Sequence, residues 1–157
     1  MSYEFYNPTR VLFGAGQLNH LHEQKMPGKK AMLVISNGKS TRASGALDRT
    51  MKELSLAGVE VVLFDKVGAN PVKEIVEEGG HFAKKEGCDF IVALGGGSVM
   101  DAAKVMAMYA QQPGDLWDYV AGATVSESST SGHRDHDNGR NRIRGGSVGR
   151  CDQSGNE

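Results

Sequence analysis

Short apolar runs alternate along the chain with segments in which apolar residues recur every three or four positions. The runs at 31–35 and 89–94 show no polar alternation, which is typical of strands covered on both faces. Shorter or mixed runs at 10–13 and 59–64 predict two further strands. Strands that alternate with helices predict an α/β fold, with a parallel sheet and helices packed against it.

The segments between the predicted strands carry helical spacing. A first helix ends by 27–28, a second is closed by Gly58, a third starts at Asn70-Pro71, and Ser98 caps a fourth. The apolar positions expected to face the sheet are Leu18, Leu21, Leu47, Met51, Leu54, Leu56, Ile75, Val76, Phe82, Val99, Ala102, Ala103, Met106 and Ala110.

The chain divides into two parts of different composition, 1–124 and 125–157. The second part is rich in Ser, Arg, Asp, Asn and Gly, and its apolar residues are only Val125, Ile143, Val148 and Cys151. So few apolar side chains cannot offset the entropy lost on folding. We therefore expect an α/β domain over 1–124 and a disordered tail over 125–157.

Charge and cysteine content exclude several classes of protein. With 157 residues, a net charge of −1 and a pI near 6.5, the chain offers no electrostatic case for nucleic acid or an anionic membrane. No apolar run approaches the roughly 20 residues of a membrane helix, and the first residues open no signal peptide. Cys88 and Cys151 form neither a disulfide framework nor a metal-type spacing. We expect a cytoplasmic protein.

A glycine-rich turn follows the strand at 89–94. The stretch A-L-G-G-G-S-V-M-D-A-A-K, 93–104, joins that strand to a helix through three glycines. Bare backbone amides and a helix N-terminus can face an anion in this geometry, and the alternative is a tight turn without a ligand. The carboxyl ends of parallel strands meet at one edge, so the loops at 36–42, 65–71 and 95–98 belong together there.

Gly38-Lys39-Ser40 is similar to the end of a phosphate-binding P-loop. The leading glycine would have to stand at position 33, which is Leu33, so the sequence excludes a P-loop. The segment still follows a strand. Lys39 or Arg42 could reach a ribose or a 2′-phosphate, and a solvated turn is the equal alternative.

Other motifs are better explained without a ligand. Gly14-Ala15-Gly16 begins like a dinucleotide fingerprint, but Asn19 stands where the third glycine belongs. The cluster at 133–137, H-R-D-H-D, has no scaffold to hold a metal. Acidic residues balance the arginines of the tail, which therefore is not a basic arm.

Four stretches together resemble the N-terminal domain of the iron-containing (group III) alcohol dehydrogenases, the butanol dehydrogenase-like branch in particular. They are N-P-T-R-V-L-F-G at 7–14, N-P at 70–71, G-G-G-S-V-M-D-A-A-K at 95–104 and G-D-L-W-D-Y at 114–119. The resemblance covers 1–124 and implies a Rossmann-like, dehydroquinate synthase-like parallel sheet that binds NAD(P). It also implies hydride transfer between an alcohol and an aldehyde or ketone.

The resemblance implies where the nicotinamide dinucleotide binds. Its pyrophosphate would lie against Gly96, Gly97 and Ser98, and the loop at 36–40 would discriminate NAD from NADP. That loop contains no carboxylate to hold a free 2′-hydroxyl, which slightly favours NADP(H). The candidate cofactor-binding residues are Gly38, Lys39, Ser40, Asn70, Gly95, Gly96, Gly97, Ser98 and Asp101.

The resemblance also implies that the iron-binding part of the family's enzyme is not represented among these motifs. The family's iron ligands, an Asp and three His, belong to a C-terminal helical domain that is not recognisable here, so no catalytic or metal-binding residue is assigned. We expect 1–124 to be an incomplete cofactor domain, inactive alone, with an alcohol or aldehyde as substrate only in a full-length form. A non-catalytic nucleotide-binding module with an interaction tail is the alternative, and a homo-oligomer stays open.

The tail has one further interpretation. In the family the segment T-T-A-G-T-G-S-E follows this domain, and it is absent from the protein as written. Read one nucleotide later, the degenerate codons from His133 to Gly149 permit I-V-T-M-T-T-A-G-T-G-S-E-A-D-P-W-A. We therefore expect 125–157 to be a frameshifted translation of the family's own continuation.

Overall fold

The computed structural model describes residues 9–111 and the backbone of 144–148. One parallel sheet has the strand order β2-β1-β3-β4, with β1 at Lys30–Ser36, β2 at Glu60–Val67, β3 at Phe90–Leu94 and β4 at Arg144–Val148. The helices are α1 (Ser40–Ala43), α2 (Ala46–Leu56), α3 (Lys73–Lys85) and α4 (Gly97–Gln111), and a 3₁₀ helix at Gln17–Glu23 precedes the sheet. This α/β architecture confirms the predicted fold class.

Helices cover both faces of the two central strands, which explains why β1 and β3 lack polar alternation. On one face, Met32 and Val34 of β1 pack with residues of α3 and α4. On the other face, Leu33 and Ile35 pack with residues of α2. Successive side chains of a strand point to opposite faces, so a strand between two helical layers must be apolar throughout.

The helical predictions hold in outline and fail in detail. The predicted inner face of α4, including Val99 and Met106, is buried. In α2, Leu47 and Leu54 are buried, whereas Met51 is exposed and Leu56 is 60% exposed. Helical spacing alone overestimated the width of the apolar face of α2. The first predicted helix is the 3₁₀ helix, which ends at Glu23, before the predicted stop at 27–28.

The predicted strand at 10–13 is wrong. Residues 10–13 are not in a strand and pair with none that the structure describes, and the side chain of Phe13 is 96% exposed. An apolar run becomes a strand only when a neighbouring strand satisfies its backbone groups. No described strand lies beside residues 10–13.

Residues 144–148 belong to the segment expected to be a disordered tail, and they form β4, which pairs in parallel with β3 from Phe90 to Leu94. Pairing satisfies backbone groups at the edge of β3 and does not require apolar side chains, on which the expectation rested. The other residues of 125–157 lie outside the described residues, as does the G-D-L-W-D-Y stretch.

Candidate functional site

A cleft of about 530 Å³ opens at the carboxyl edge of the sheet, between the loops that follow β1, β2 and β3. Parallel α/β folds bind ligands at this edge. Its lining residues are Ser36, Asn37, Gly38, Ser40, Thr41, Ser44, Ala46, Gly68, Ala69, Leu94, Gly95, Gly96, Gly97, Ser98 and Val99. The three loops that the sequence predicted to meet contribute to one site.

The three consecutive glycines have two different reasons to be glycine. A Cβ built on Gly95 would lie 2.8 Å from Cγ2 of Val99, so packing inside the protein excludes a side chain there. A Cβ on Gly96 or Gly97 would meet nothing within 4 Å. Neither of these two residues has a positive φ. Nothing within the described protein therefore requires glycine at 96 or 97, and both face the cleft.

The first turn of α4 forms one wall of the cleft. The carbonyl of Gly96 accepts the N–H groups of Val99 and Met100, both at 3.1 Å. Gly97 and Ser98 are the first two residues of α4, where a helix supplies no carbonyl to its own first N–H groups. The helix dipole adds partial positive charge there. This wall therefore favours an anion.

Ser98 does not cap α4 as the sequence predicted. It is the second residue of the helix, and its Oγ donates a hydrogen bond to the carbonyl of Ala69 at 2.7 Å. The bond joins the loop after β3 to the loop after β2. Ser98 thereby holds two walls of the cleft together, and its oxygen can still accept a hydrogen bond.

The loop after β1 forms the opposite wall. The N–H of Asn37 donates to the carbonyl of Val67 at 2.9 Å, which ties this loop to the end of β2. A Cβ on Gly38 would have only the Ser36 hydroxyl nearby, at 3.6 Å. The wall therefore presents backbone and hydroxyl groups rather than bulky side chains.

Six of the nine predicted site residues line the cleft together: Gly38, Ser40, Gly95, Gly96, Gly97 and Ser98. Lys39, Asn70 and Asp101 do not line it. Asp101 lies on the exposed side of α4, 3.3 Å from the ammonium of Lys104. Whether any of the nine contacts a cofactor stays a prediction.

The sequence reasoning missed several lining residues that come from outside the glycine motif. Thr41, Gly68 and Ala69 fall within the segments 36–42 and 65–71 that were predicted to meet at this edge, and Ser44 follows α1, but none stands in a recognisable motif. The rule that ligands bind at the carboxyl ends of strands identified the segments but not the individual residues. Motif spacing could not identify them, because three separate loops contribute.

Within residues 9–111 no three His, Cys, Asp or Glu side chains lie close enough to hold a metal ion. We therefore assign iron to none of these residues. Burial raises the pKa of the Cys88 thiol to about 11, so Cys88 stays protonated at neutral pH and offers no thiolate. In the same part of the chain, no helix is both long enough and apolar enough to span a membrane.

The model of the family "Iron-containing alcohol dehydrogenase" matches residues 8–134. This chain belongs to the iron-containing alcohol dehydrogenase family. The resemblance of the sequence motifs to that family is thereby confirmed, and the α/β domain described above is its N-terminal part.

Curated members of the family use both nicotinamide cofactors. A "Probable NADH-dependent butanol dehydrogenase 1" of Bacillus subtilis is 36% identical over 119 residues, 76% of this chain and 31% of the relative. A "NADPH-dependent butanol dehydrogenase" of Clostridium saccharobutylicum is 38% identical over 116 residues, 74% of this chain and 29% of the relative.

Solved structures of the family share the fold. NADH-dependent butanol dehydrogenase A of Thermotoga maritima superposes with a TM-score of 0.74 at 35% identity, covering 80% of this chain and 32% of that protein. The chain thus spans about a third of the length of the relatives it matches.

Proposed function

We propose that this chain binds a nicotinamide dinucleotide in the cleft, with the pyrophosphate against the glycine loop. The observation that carries the proposal is the pair Gly96 and Gly97, which face the cleft where a Cβ would meet nothing. Glycines that neither packing nor φ explains leave room for something outside the protein. The amides at the start of α4 suit its negative charge.

Replacing one of these glycines tests the proposal. Gly97→Ala adds a methyl group that the protein tolerates and a bound pyrophosphate does not, so we expect NADH and NADPH to bind about tenfold more weakly or worse. Titration of nucleotide fluorescence gives the affinities, and circular dichroism verifies the fold. Gly38→Ala, on the opposite wall, where a Cβ would only contact the Ser36 hydroxyl at 3.6 Å, shows whether the loss is specific to the first turn of α4. Unchanged affinity in Gly97→Ala would refute the site.

We further propose that the complete enzyme interconverts an alcohol and an aldehyde or ketone with NAD(P) and iron, and that this 157-residue polypeptide alone does not. The chain spans about a third of the relatives' length. Residues 9–111 form the proposed cofactor cleft, and no three possible metal ligands lie together among them. We expect the purified polypeptide, supplied with Fe²⁺, NAD⁺ and butanol, to produce no NADH. Sustained production would contradict the proposal.

The composition of 125–157 supports a proposal about the gene. We propose that this segment is translated out of frame, since a shift of one nucleotide permits the family's T-T-A-G-T-G-S-E in register. Sequencing the coding DNA tests it. We expect the shifted frame to stay open beyond codon 125 and to encode a His-containing helical domain, and restoring it to give an iron-dependent dehydrogenase. Early stop codons in that frame would refute the idea.

A further inference from the structure

An ion pair joins α1 to β2 near the cleft: Arg42 and Asp65 do not line the cleft themselves, but Arg42 directly follows Thr41, which does. The guanidinium Nη2 of Arg42 donates to Oδ2 of Asp65 at 2.6 Å. The two side chains are 42% and 46% exposed, so other ions can reach them. Arg42 belongs to α1, which follows the cleft loop of β1, and Asp65 belongs to β2.

The pair flanks the side of the cleft that an adenosine ribose would occupy. This step rests on the proposed cofactor site, which puts the pyrophosphate after β3. The cleft then continues past the loop of β1, including Thr41, the chain neighbour of Arg42, and reaches Gly68 after β2. In dinucleotide-binding sheets the ribose lies beyond the phosphate loop, where an acidic residue binds a 2′-hydroxyl and an arginine accommodates a 2′-phosphate.

Neither the loop sequence nor family membership decides which cofactor is preferred. The loop at 36–40 contains Lys39 and no carboxylate, which slightly favours NADP(H). Relatives of 36% and 38% identity are named for NADH and NADPH respectively. The loop sequence has no carboxylate, but the fold supplies one, because it brings Asp65 of β2 to Arg42 of α1.

We propose that Asp65 directs this cofactor site toward NADH by holding Arg42. Asp65 occupies Nη2 of the guanidinium and offsets its charge, so a 2′-phosphate binds Arg42 more weakly than it would bind an unpaired arginine. Asp65 also repels the phosphate, whereas a 2′-hydroxyl carries no charge and can donate to a carboxylate. Asp65 is thus a specificity residue that acts partly through Arg42.

Removing the charge of Asp65 tests the proposal. In Asp65→Asn we expect NADPH and adenosine 2′,5′-bisphosphate to bind about three- to fivefold more tightly, the upper end of the range for an exposed ion pair. The affinities for NADH and adenosine 5′-monophosphate should change less than about twofold. Adding Arg42→Ala to this variant should abolish the gain, and salt should weaken it.

Glu60→Gln is the matched control. Glu60 begins the same strand, and its carboxylate pairs with the ammonium of Lys30 at 2.9 Å, at the opposite edge of the sheet. The variant removes an equal charge far from the cleft, so its nucleotide affinities should not change. Asp65→Ser supplies a second neutral variant if Asp65→Asn fails to fold.

The outcomes separate this inference from the cofactor site itself. If the wild-type chain binds both nucleotides but Asp65→Asn leaves their affinity ratio unchanged, the role of Asp65 is refuted and the site stands. A gain equal for NADH and NADPH, or one that Glu60→Gln reproduces, refutes it equally. If the wild-type chain binds neither nucleotide, the cofactor site fails and this inference fails with it.

Discussion

Gly28 at the amino end of the sheet and the pair Gly96 and Gly97 at the carboxyl end have opposite surroundings. At the amino end, a Cβ on Gly28 would lie 2.7 Å from the carboxylate of Asp89, so packing inside the protein fixes the residue. At the carboxyl end, a Cβ on Gly96 or Gly97 would meet nothing within 4 Å. Gly28 allows close packing against Asp89, whereas Gly96 and Gly97 leave this wall of the cleft without side chains.

Polar groups divide in the same way. At the amino end, Oδ2 of Asp89 accepts the N–H groups of Lys29 at 2.7 Å and Lys30 at 2.9 Å, which joins the start of β3 to the start of β1. At the carboxyl end, Gly97 and Ser98, the first two residues of α4, line the cleft. The comparison implies that changes at the amino end alter stability, whereas changes at the carboxyl end alter binding.

Gly28→Ala should destabilise the amino end of the sheet, and we expect it to lower the free energy of unfolding more than any other substitution below. The added Cβ displaces Asp89 and costs its two charge-assisted hydrogen bonds, so we expect the free energy of unfolding to fall by about 3 kcal/mol. Urea unfolding monitored by circular dichroism measures it. Gly97→Ala is the counterpart: at the start of a helix, with open space around it, it should leave stability within about 1 kcal/mol. Equal losses in the two variants would contradict the comparison.

Asp89→Asn sharpens the comparison with a smaller change. The amide keeps the shape and one acceptor oxygen but loses the charge, so we expect a loss of about 1 kcal/mol in unfolding free energy. Asp101→Asn is the same substitution at a side chain that is 73% exposed on α4. It should cost less than about 0.5 kcal/mol. A loss of unfolding free energy in Asp101→Asn as large as that in Asp89→Asn would show that the backbone hydrogen bonds of Asp89 do not account for its contribution to stability.

The sequence predicted the elements whose cause is local or periodic. Helix spacing identified the buried face of α4, and the continuous apolar runs identified β1 and β3, because a strand between two helical layers carries no polar positions. It also predicted that three loops meet at one edge. These features follow from the chain itself without knowledge of its neighbours.

The remaining features depend on contacts between distant segments. The run at 10–13 has strand-like residues, yet only a neighbouring strand could have made it a strand. The segment at 144–148 has a single apolar residue, Val148, yet the edge of β3 gives it backbone partners. The bond from Ser98 to Ala69 and the pair of Arg42 with Asp65 join residues 29 and 23 positions apart. Motif spacing does not encode such pairs.

The smallest expected effect is a difference in acid sensitivity near the amino end of the sheet. Glu53 of α2 is buried, and its Oε2 lies 2.5 Å from Nδ1 of His22 in the 3₁₀ helix and accepts the His22 N–H at 3.3 Å. These hydrogen bonds lower the pKa of Glu53 from its usual 4.5. A carboxyl group with a lowered pKa stabilises the fold above its ordinary pKa, and this contribution is lost as pH falls through the lowered value.

Glu53→Gln cannot titrate, so its unfolding free energy should depend less on pH than that of the wild-type chain between about pH 5 and 3. Urea unfolding at a series of pH values gives the two slopes. Glu23→Gln is the control, since its hydrogen bond to His20 also lowers the pKa of Glu23, but both side chains are 55% exposed. Water screens that pair, so removing the Glu23 carboxyl should flatten the slope less. Parallel slopes for the wild-type chain and Glu53→Gln would show that the Glu53–His22 pair does not link acid sensitivity to the docking of the 3₁₀ helix on α2.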